Sequence, residues 1–157
     1  MPKITALIHV PDKDRLLEQT LRTLRSCDEV LVIHHGSRKE VAEVARRRGA
    51  TLKQAIPGVD EGAYAVDAHN PWVLCLLPGE SLSKELEASL EHWKKTEPNG
   101  TVGYNIEIRE QTSRGWRKRP RETRLVNRTC LNWKEALPGK VPDAPELKGS
   151  LLRARNA

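Results

Sequence analysis

Four short apolar runs, each followed by a more polar segment, organise the first 98 residues. The runs cover residues 3–9, 29–33, 51–56 and 72–77. Unbroken apolar runs of this length are typical of strands that are buried on both faces of a parallel sheet. Alternation of such strands with helices predicts an α/β fold, with a mostly parallel sheet, helices on both faces and right-handed crossovers.

Local capping signals predict where the helices between these runs begin. Asp12, Ser37 and Ser83 each stand before a segment with an apolar residue every three or four positions. Glu40 follows Ser37 by three residues, which completes a capping box. We therefore expect an amphipathic helix after each of these caps, and a shorter helix over residues 61–69.

The pattern changes after the Pro-Asn-Gly sequence that ends at residue 100. Residues 102–108 alternate between apolar and polar side chains, as in an antiparallel strand with one face in water. Residues 124–126 are the expected core of a second strand, and residues 131–133 of a third short one. These features predict a small antiparallel extension that is rich in β-structure.

A length of 157 residues fits one domain, in which an α/β lobe (1–98) is followed by the β-rich basic extension (99–157). The apolar runs are too short for a membrane-spanning helix or a signal peptide, so we expect a cytoplasmic protein.

Cys27, Cys75 and Cys130 are odd in number and far apart. Their spacing argues against a disulfide framework and against a cysteine-based metal site.

The positive charge of the chain is concentrated in one segment. Residues 109–128 carry eight basic and two acidic side chains, which accounts for the whole net charge of +6. Such a segment can bind a diphosphate, the anionic lipids at the inner face of a membrane, or nucleic acid. Nucleic acid is unlikely on this pattern, since Trp116 is the one aromatic residue there. The alternative is a solvated hairpin whose charges discourage edge pairing.

Five candidate nucleotide-binding residues end or follow the first two predicted strands: His9, Pro11, His34, His35 and Ser37. Ligands of open α/β sheets bind outside the carboxyl ends of the strands, and neighbouring parallel strands bring those ends together. Imidazoles at this edge can donate to a phosphate, stack on a base or exchange protons near neutral pH. The alternative is a set of polar loop residues. Their spacing matches no histidine metal motif, so we assign no metal ligand.

Three strings of the sequence resemble the family-2 glycosyltransferases, the nucleotide-sugar enzymes with the Rossmann-like GT-A fold. They are ITALIHVPDKDRLLEQTLRTL, DEVLVIHHGSRKEVAEVARRRGATL and WVLCLLPGESLSKELEASL. The last corresponds to the family string W-x-L-x-L-D-A-D-E followed by a helix start. The resemblance covers residues 3–94 and is weaker over 102–153. It implies a nucleotide-sugar site at the carboxyl ends of the strands and transfer of a sugar to an acceptor hydroxyl.

The sequence departs from this family at its acidic positions. His34 and Lys39 stand where the family has aspartates near the second strand. The family's DxD pair, which holds Mg²⁺ or Mn²⁺ against the diphosphate, is replaced by Leu77 and Gly79. Neither side chain offers an oxygen ligand to a hard cation. Glu80, directly after the motif, is the one acid left, which argues against a divalent cation (Mg²⁺ or Mn²⁺) as a cofactor.

The leading hypothesis is a protein that binds a nucleotide or nucleotide sugar and transfers the sugar without a DxD-bound metal. Arg121 and Arg124 would then clamp the diphosphate, because Arg binds such groups bidentately. Glu80 and Glu135 are the candidate catalytic carboxylates. The chain is short for a complete transferase, so a protein partner is expected to supply the acceptor. An alternative is a catalytically inactive GT-A-like binding or assembly module. A weaker alternative is a basic protein that binds a membrane surface or nucleic acid.

Overall fold

The computed structural model describes residues 2–11, 16–98 and 100–155. Its strands are β1 (Ile4–Pro11), β2 (Glu29–His35), β3 (Thr51–Gln54), β4 (Trp72–Leu76), β5 (Glu80–Leu82), β6 (Gly103–Thr112), β7 (Gly115–Asn127) and β8 (Glu146–Arg153). The helices are α1 (Leu17–Leu21), α2 (Lys39–Arg47), α3 (Lys84–Trp93) and a 3-10 helix, Glu61–Asp67. The alternation of strands and helices that the apolar runs predict is therefore present in the first half of the chain.

All eight strands belong to one mixed sheet in the order β3-β2-β1-β4-β7-β6-β8-β5. The first four are parallel to one another, β7 is antiparallel to β4, and β6 is antiparallel to β7. At the far edge β8 runs parallel to β6, and β5 runs antiparallel to β8. The second half of the chain thus continues the parallel half and includes a parallel pair. This differs from the purely antiparallel extension that the sequence predicts.

The two faces of the sheet are covered in different ways. Alternate residues of β1 face opposite sides, so that Ile4, Ala6 and Ile8 pack with all three α-helices, whereas Leu7 packs with the 3-10 helix. Irregular chain around Trp133 completes the second cover. The sequence predicts helices on both faces, but the three α-helices share one face. The connection from β3 to β4 covers the other face with a single 3-10 helix.

The local predictions have mixed outcomes. Ser83 caps α3 as expected, because its Oγ accepts a hydrogen bond from the Leu86 amide at 3.1 Å. The helix expected over residues 61–69 is the 3-10 helix. α2 begins after Arg38 and has no side-chain cap, so the N-cap predicted at Ser37 is wrong by one residue.

Two further predictions concern the helix after β1 and the last short strand. The helix is seen over Leu17–Leu21, and its predicted cap Asp12 lies outside the described residues. Residues 131–133 form no strand, so that prediction is wrong. None of the helices in the described part of the chain is long and apolar enough to cross a membrane.

Candidate functional site

Two of the three histidines predicted to form a site meet at the carboxyl edge of the sheet. His9 lies two residues after Leu7 and His35 two residues after Ile33, so both face the 3-10 helix. The two rings are in contact, and His9 Nδ1 is 2.8 Å from His35 Nε2. The side chain of His34 points to the other face of the sheet, the face of Val32, and is 2% exposed. The expectation that all three histidines would come together is therefore wrong for His34.

His9 forms the buried wall of this site. Its side chain is buried and makes an edge-type contact with the Tyr64 ring, with the ring centroids 5.9 Å apart. Burial, and secondly the neighbouring His35, lower the pKa of His9 to about 4, so that the ring is neutral at physiological pH. Its Nε2 is buried without a hydrogen-bond partner among the described residues. Nδ1 faces the carboxylate of Glu61, with Oε2 at 4.0 Å.

Glu61 is the site residue that the sequence analysis missed. It begins the 3-10 helix, on a separate element from both histidines. The ligand atoms of His9, His35 and Glu61 all lie within 4.8 Å of one another. The only sequence signal was the start of a short predicted helix, because the proximity depends on how the β3–β4 connection folds across the sheet.

An open pocket of about 320 Å³ lies beside these residues. His35 and Glu61 form one wall, and residues 54–59 form the other. The Tyr64 hydroxyl accepts a hydrogen bond from the Ile56 amide at 2.6 Å, which holds this loop against the sheet. Gly58 turns the loop with a φ of 87°, a conformation that favours glycine. The pocket therefore lies at the carboxyl ends of β2 and β3, where α/β sheets bind ligands.

The other predicted residues at this edge are arranged around the pocket. Pro11 is exposed and stands opposite His35 in the register of β1 and β2. Ser37 is exposed two residues beyond His35, in the loop before α2. Their role in binding a nucleotide stays a prediction.

Glu80 and Arg124 are paired with each other rather than directed towards a ligand. Arg124 Nη1 is 2.6 Å from Glu80 Oε1, and Nη2 is 2.8 Å from Oε2. Both side chains have no exposed surface. Neither can contact a ligand without breaking this pair, so the geometry assigns both to the framework. The predicted catalytic use of Glu80 and diphosphate clamp at Arg124 do not fit this placement.

The segment at the DxD positions, residues 77–80, is a closed turn. Gly79 has a φ of 90°, and its amide donates to Thr20 Oγ1 at 2.9 Å. The Leu77 amide donates to Glu80 Oε1 at 2.8 Å, while Arg153 contacts Glu80 Oε2 at 3.0 Å. The turn is thus held by partners from α1 and β8. It offers no carboxylate to a cation, because its one acid is already saturated by donors.

The basic segment forms most of the β6–β7 hairpin, and several of its charges are neutralised locally. Arg121 Nε lies 3.3 Å from Glu146 Oε2, and Arg109 Nε lies 2.8 Å from Glu107 Oε1. Trp116 near the turn is 54% exposed. This arrangement is typical of a solvated hairpin. A clamp role for Arg121 would require a diphosphate to replace Glu146, and it stays a prediction.

Glu135 is exposed in irregular chain on the side of the sheet that carries the 3-10 helix. The residue before it, Lys134, accepts a hydrogen bond from the Gly62 amide at 3.0 Å. This contact brings the segment next to Glu61. The predicted role of Glu135 as a base stays a prediction, and the contact places only the neighbouring Lys134 against the 3-10 helix.

The described chain has an α/β fold with one eight-stranded mixed sheet, and distant structural matches agree broadly with a GT-A-like fold class. No family model matches the chain, and no curated protein matches it in sequence. Solved structures do match, and they support this fold class. One is described as a mycobacterial protein, with 12% identity, a TM-score of 0.52, and coverage of 71% of this chain and 42% of that one.

A second match is glucosyl-3-phosphoglycerate synthase from Mycobacterium tuberculosis in complex with Mn²⁺, uridine diphosphate and phosphoglyceric acid. It has 12% identity and a TM-score of 0.52, and the match covers 72% of this chain and 45% of that one. The same synthase with UDP-glucose matches at a TM-score of 0.50. The chain spans less than half the length of these proteins, and the likeness at this identity concerns the fold alone.

Proposed function

We propose that the chain binds a nucleotide or nucleotide sugar in the pocket at the carboxyl ends of β2 and β3. The observation that carries the proposal is the open pocket between His35, Glu61 and residues 54–59, at the ligand edge of a GT-A-like sheet. A ligand pocket in an α/β protein is expected at this edge.

The lining of the pocket suits a nucleoside. The exposed ring of His35 can stack on a base or hydrogen-bond to it, and the carboxylate of Glu61 can accept hydrogen bonds from ribose hydroxyls. Residues 54–59 form the opposite wall, where the amides of Ala55, Ile56 and Val59 already donate within the protein. The two side chains, His35 and Glu61, can bind a polar ring without requiring a cation.

Transfer of a sugar is the finer part of the proposal. The acceptor hydroxyl would attack the anomeric carbon, the bond from that carbon to the β-phosphate oxygen would break, and the nucleoside diphosphate would leave with the electron pair. Glu135 is the candidate acceptor of the hydroxyl proton, and Arg121 is the candidate partner of the leaving diphosphate. No step is assigned to a cation at residues 77–80, since the one carboxylate of the turn is already bonded to Arg124 and to the Leu77 amide.

Calorimetry tests the binding proposal. UDP, UDP-glucose, GDP and dTDP are titrated into the protein, first with a chelator present and then with Mn²⁺. We expect saturable binding of one of them, and a loss of at least about tenfold in affinity, or 1.4 kcal/mol, in His35→Ala. His92→Ala, an exposed histidine on α3, is the matched control and should bind like the wild type. Absence of binding under both conditions contradicts the proposal.

A catalytically inactive binding module is the second candidate, favoured by the closed turn at residues 77–80. Release of UDP from bound UDP-glucose, with glycerol as a simple acceptor, separates the two. Turnover that is lost in Glu135→Gln supports the transferase. Saturable binding without any release of UDP supports the inactive module.

A further inference from the structure

Three side chains that bind metals in other proteins converge beside the pocket. His9 comes from β1, His35 from the end of β2 and Glu61 from the first position of the 3-10 helix. In the described part of the chain, they are the one group of three such residues whose ligand atoms lie within 4.8 Å of one another. We propose that His9, His35 and Glu61 bind a divalent first-row transition ion.

The distances are close to those of a coordination sphere. Two nitrogen ligands at about 2.0–2.1 Å from a metal are about 2.9 Å apart at the right angles of an octahedral site and about 3.3 Å apart in a tetrahedral Zn²⁺ site. His9 Nδ1 and His35 Nε2 are 2.8 Å apart, which matches the first geometry and needs a shift of about 0.5 Å of the exposed His35 ring for the second. Glu61 Oε2 is 4.0 Å from His9 Nδ1, about 1 Å too far for an adjacent ligand. The Glu61 side chain is 46% exposed, so it is free to rotate towards the ion.

The donor set selects the class of metal. Two imidazole nitrogens and one carboxylate oxygen suit Zn²⁺, Fe²⁺ or Co²⁺, whereas Mg²⁺ prefers oxygen ligands alone. His9 closes the buried side of the site, and His35 and Glu61 are open to the pocket. Three protein ligands therefore leave at least one coordination position for water or a ligand. This is the pattern of reactive metal sites rather than of closed structural ones.

The position of the ion has a consequence for the pocket. His35 and Glu61 also line the proposed nucleotide site, so the open coordination positions can accept an oxygen of a bound ligand. A cation would then act at the ends of β1 and β2 instead of at the turn after β4. This step rests on the proposed function, whereas metal binding itself does not.

Titration with metal alone tests the proposal. The metal-free protein is titrated with Zn²⁺ by calorimetry and with Co²⁺ by visible absorption, with no nucleotide present. We expect one ion per chain, a ligand-field spectrum with Co²⁺, and no competition from Mg²⁺. His35→Ala and Glu61→Gln should each weaken Zn²⁺ binding by more than about a hundredfold, the upper end of the loss from removing an outer-shell partner.

Two variants serve as controls. His69→Ala removes a separate His–Glu pair, in which His69 Nδ1 is 2.8 Å from Glu29 Oε2, and Cys130→Ser removes an exposed thiol. Both should bind Zn²⁺ like the wild type. Zn²⁺ should raise the melting temperature of the wild type and of both controls, but not of the His35→Ala, Glu61→Gln double variant. The substituted residues are partly exposed, and the melting curves confirm that each variant is folded.

Three results would overturn the proposal. They are no Zn²⁺ binding by the wild type, unchanged binding by the double variant, and loss of binding in either control. Failure of the nucleotide proposal gives a different pattern, because Zn²⁺ would still bind while no nucleotide does. Failure of the metal proposal alone leaves nucleotide binding intact in the presence of chelator.

Discussion

Arg124 and Glu80 form a bidentate ion pair in which both side chains are completely buried, with N–O distances of 2.6 and 2.8 Å. The pair joins β7, which borders the parallel half of the sheet, to the start of β5 at the far edge. Arg153 and the Leu77 amide satisfy the remaining capacity of the carboxylate. Glu80 is therefore a structural anchor of the sheet.

Loss of one partner of this pair should be costly. Arg124→Gln leaves the Glu80 carboxylate buried with too little compensating charge, and breaking a buried pair in this way costs about 3–5 kcal/mol. Arg121→Gln is the matched control, since it removes an Arg whose partner Glu146 is exposed. The control should cost less than about 1 kcal/mol. Urea denaturation measures both values, and equal free energies of unfolding would refute the anchor role.

The same pair predicts a dependence of stability on pH. Burial alone would raise the pKa of Glu80, but the hydrogen bonds and charge of Arg124 outweigh it and hold the pKa below its ordinary value of 4.5. A carboxyl with a lowered folded pKa stabilises the fold above the unfolded value, and this contribution is lost as the pH falls below it.

The difference in unfolding free energy between wild type and Glu80→Gln should therefore be largest above about pH 5 and shrink towards about pH 3. Urea midpoints across this range provide the measurement. A difference that stays constant with pH would mean that ionised Glu80 does not contribute as described.

Acids introduced at Leu77 and Gly79 should not create a cation site. Gly79→Asp places a side chain on a backbone with a φ of 90°, which costs about 1–3 kcal/mol. Leu77→Asp adds a charge beside the saturated Glu80. We expect both variants to be less stable and to bind Mn²⁺ no more tightly than the wild type. Gly139→Asp, at an open position without positive φ, is the control for the glycine substitution. A clear gain in Mn²⁺ affinity would show that the turn can still act as a metal site.

Sequence patterns gave the first half of this fold because their causes are local. The apolar runs of β1 and β2 and the cap at Ser83 depend on neighbouring residues only. The Arg124–Glu80 pair joins residues 44 positions apart, and no local pattern indicates which Arg enters the interior. The parallel pairing of β8 with β6 is equally non-local.

The candidate site was predictable in place but not in composition. Strand ends indicated the carboxyl edge, and His9 and His35 do meet there. Which of His34 and His35 joins His9 depends on the alternation and register of β2, where a shift of one residue exchanges the two faces. Glu61 enters the site through the path of the β3–β4 connection, for which the sequence has no periodic signal.

Close packing at Gly62 predicts a structural requirement next to the site. A Cβ at this position would overlap the carbonyl oxygen of Trp133. Gly62→Ala should displace the segment that carries Glu135 and cost about 1–3 kcal/mol, as overpacking does. Gly139→Ala, with open space around the added methyl group, should be close to neutral. Urea denaturation compares them, and equal stability would show that the Trp133 segment adjusts freely.

The location of the ligand site is the central claim, and amide chemical shifts test it most directly. The isotope-labelled protein is titrated with UDP-glucose, and the shifts of backbone amides are mapped onto the chain. Binding in the pocket predicts the largest changes at His35, Gly36 and residues 54–59. Changes concentrated at residues 77–80, or on the β6–β7 hairpin, would contradict the account.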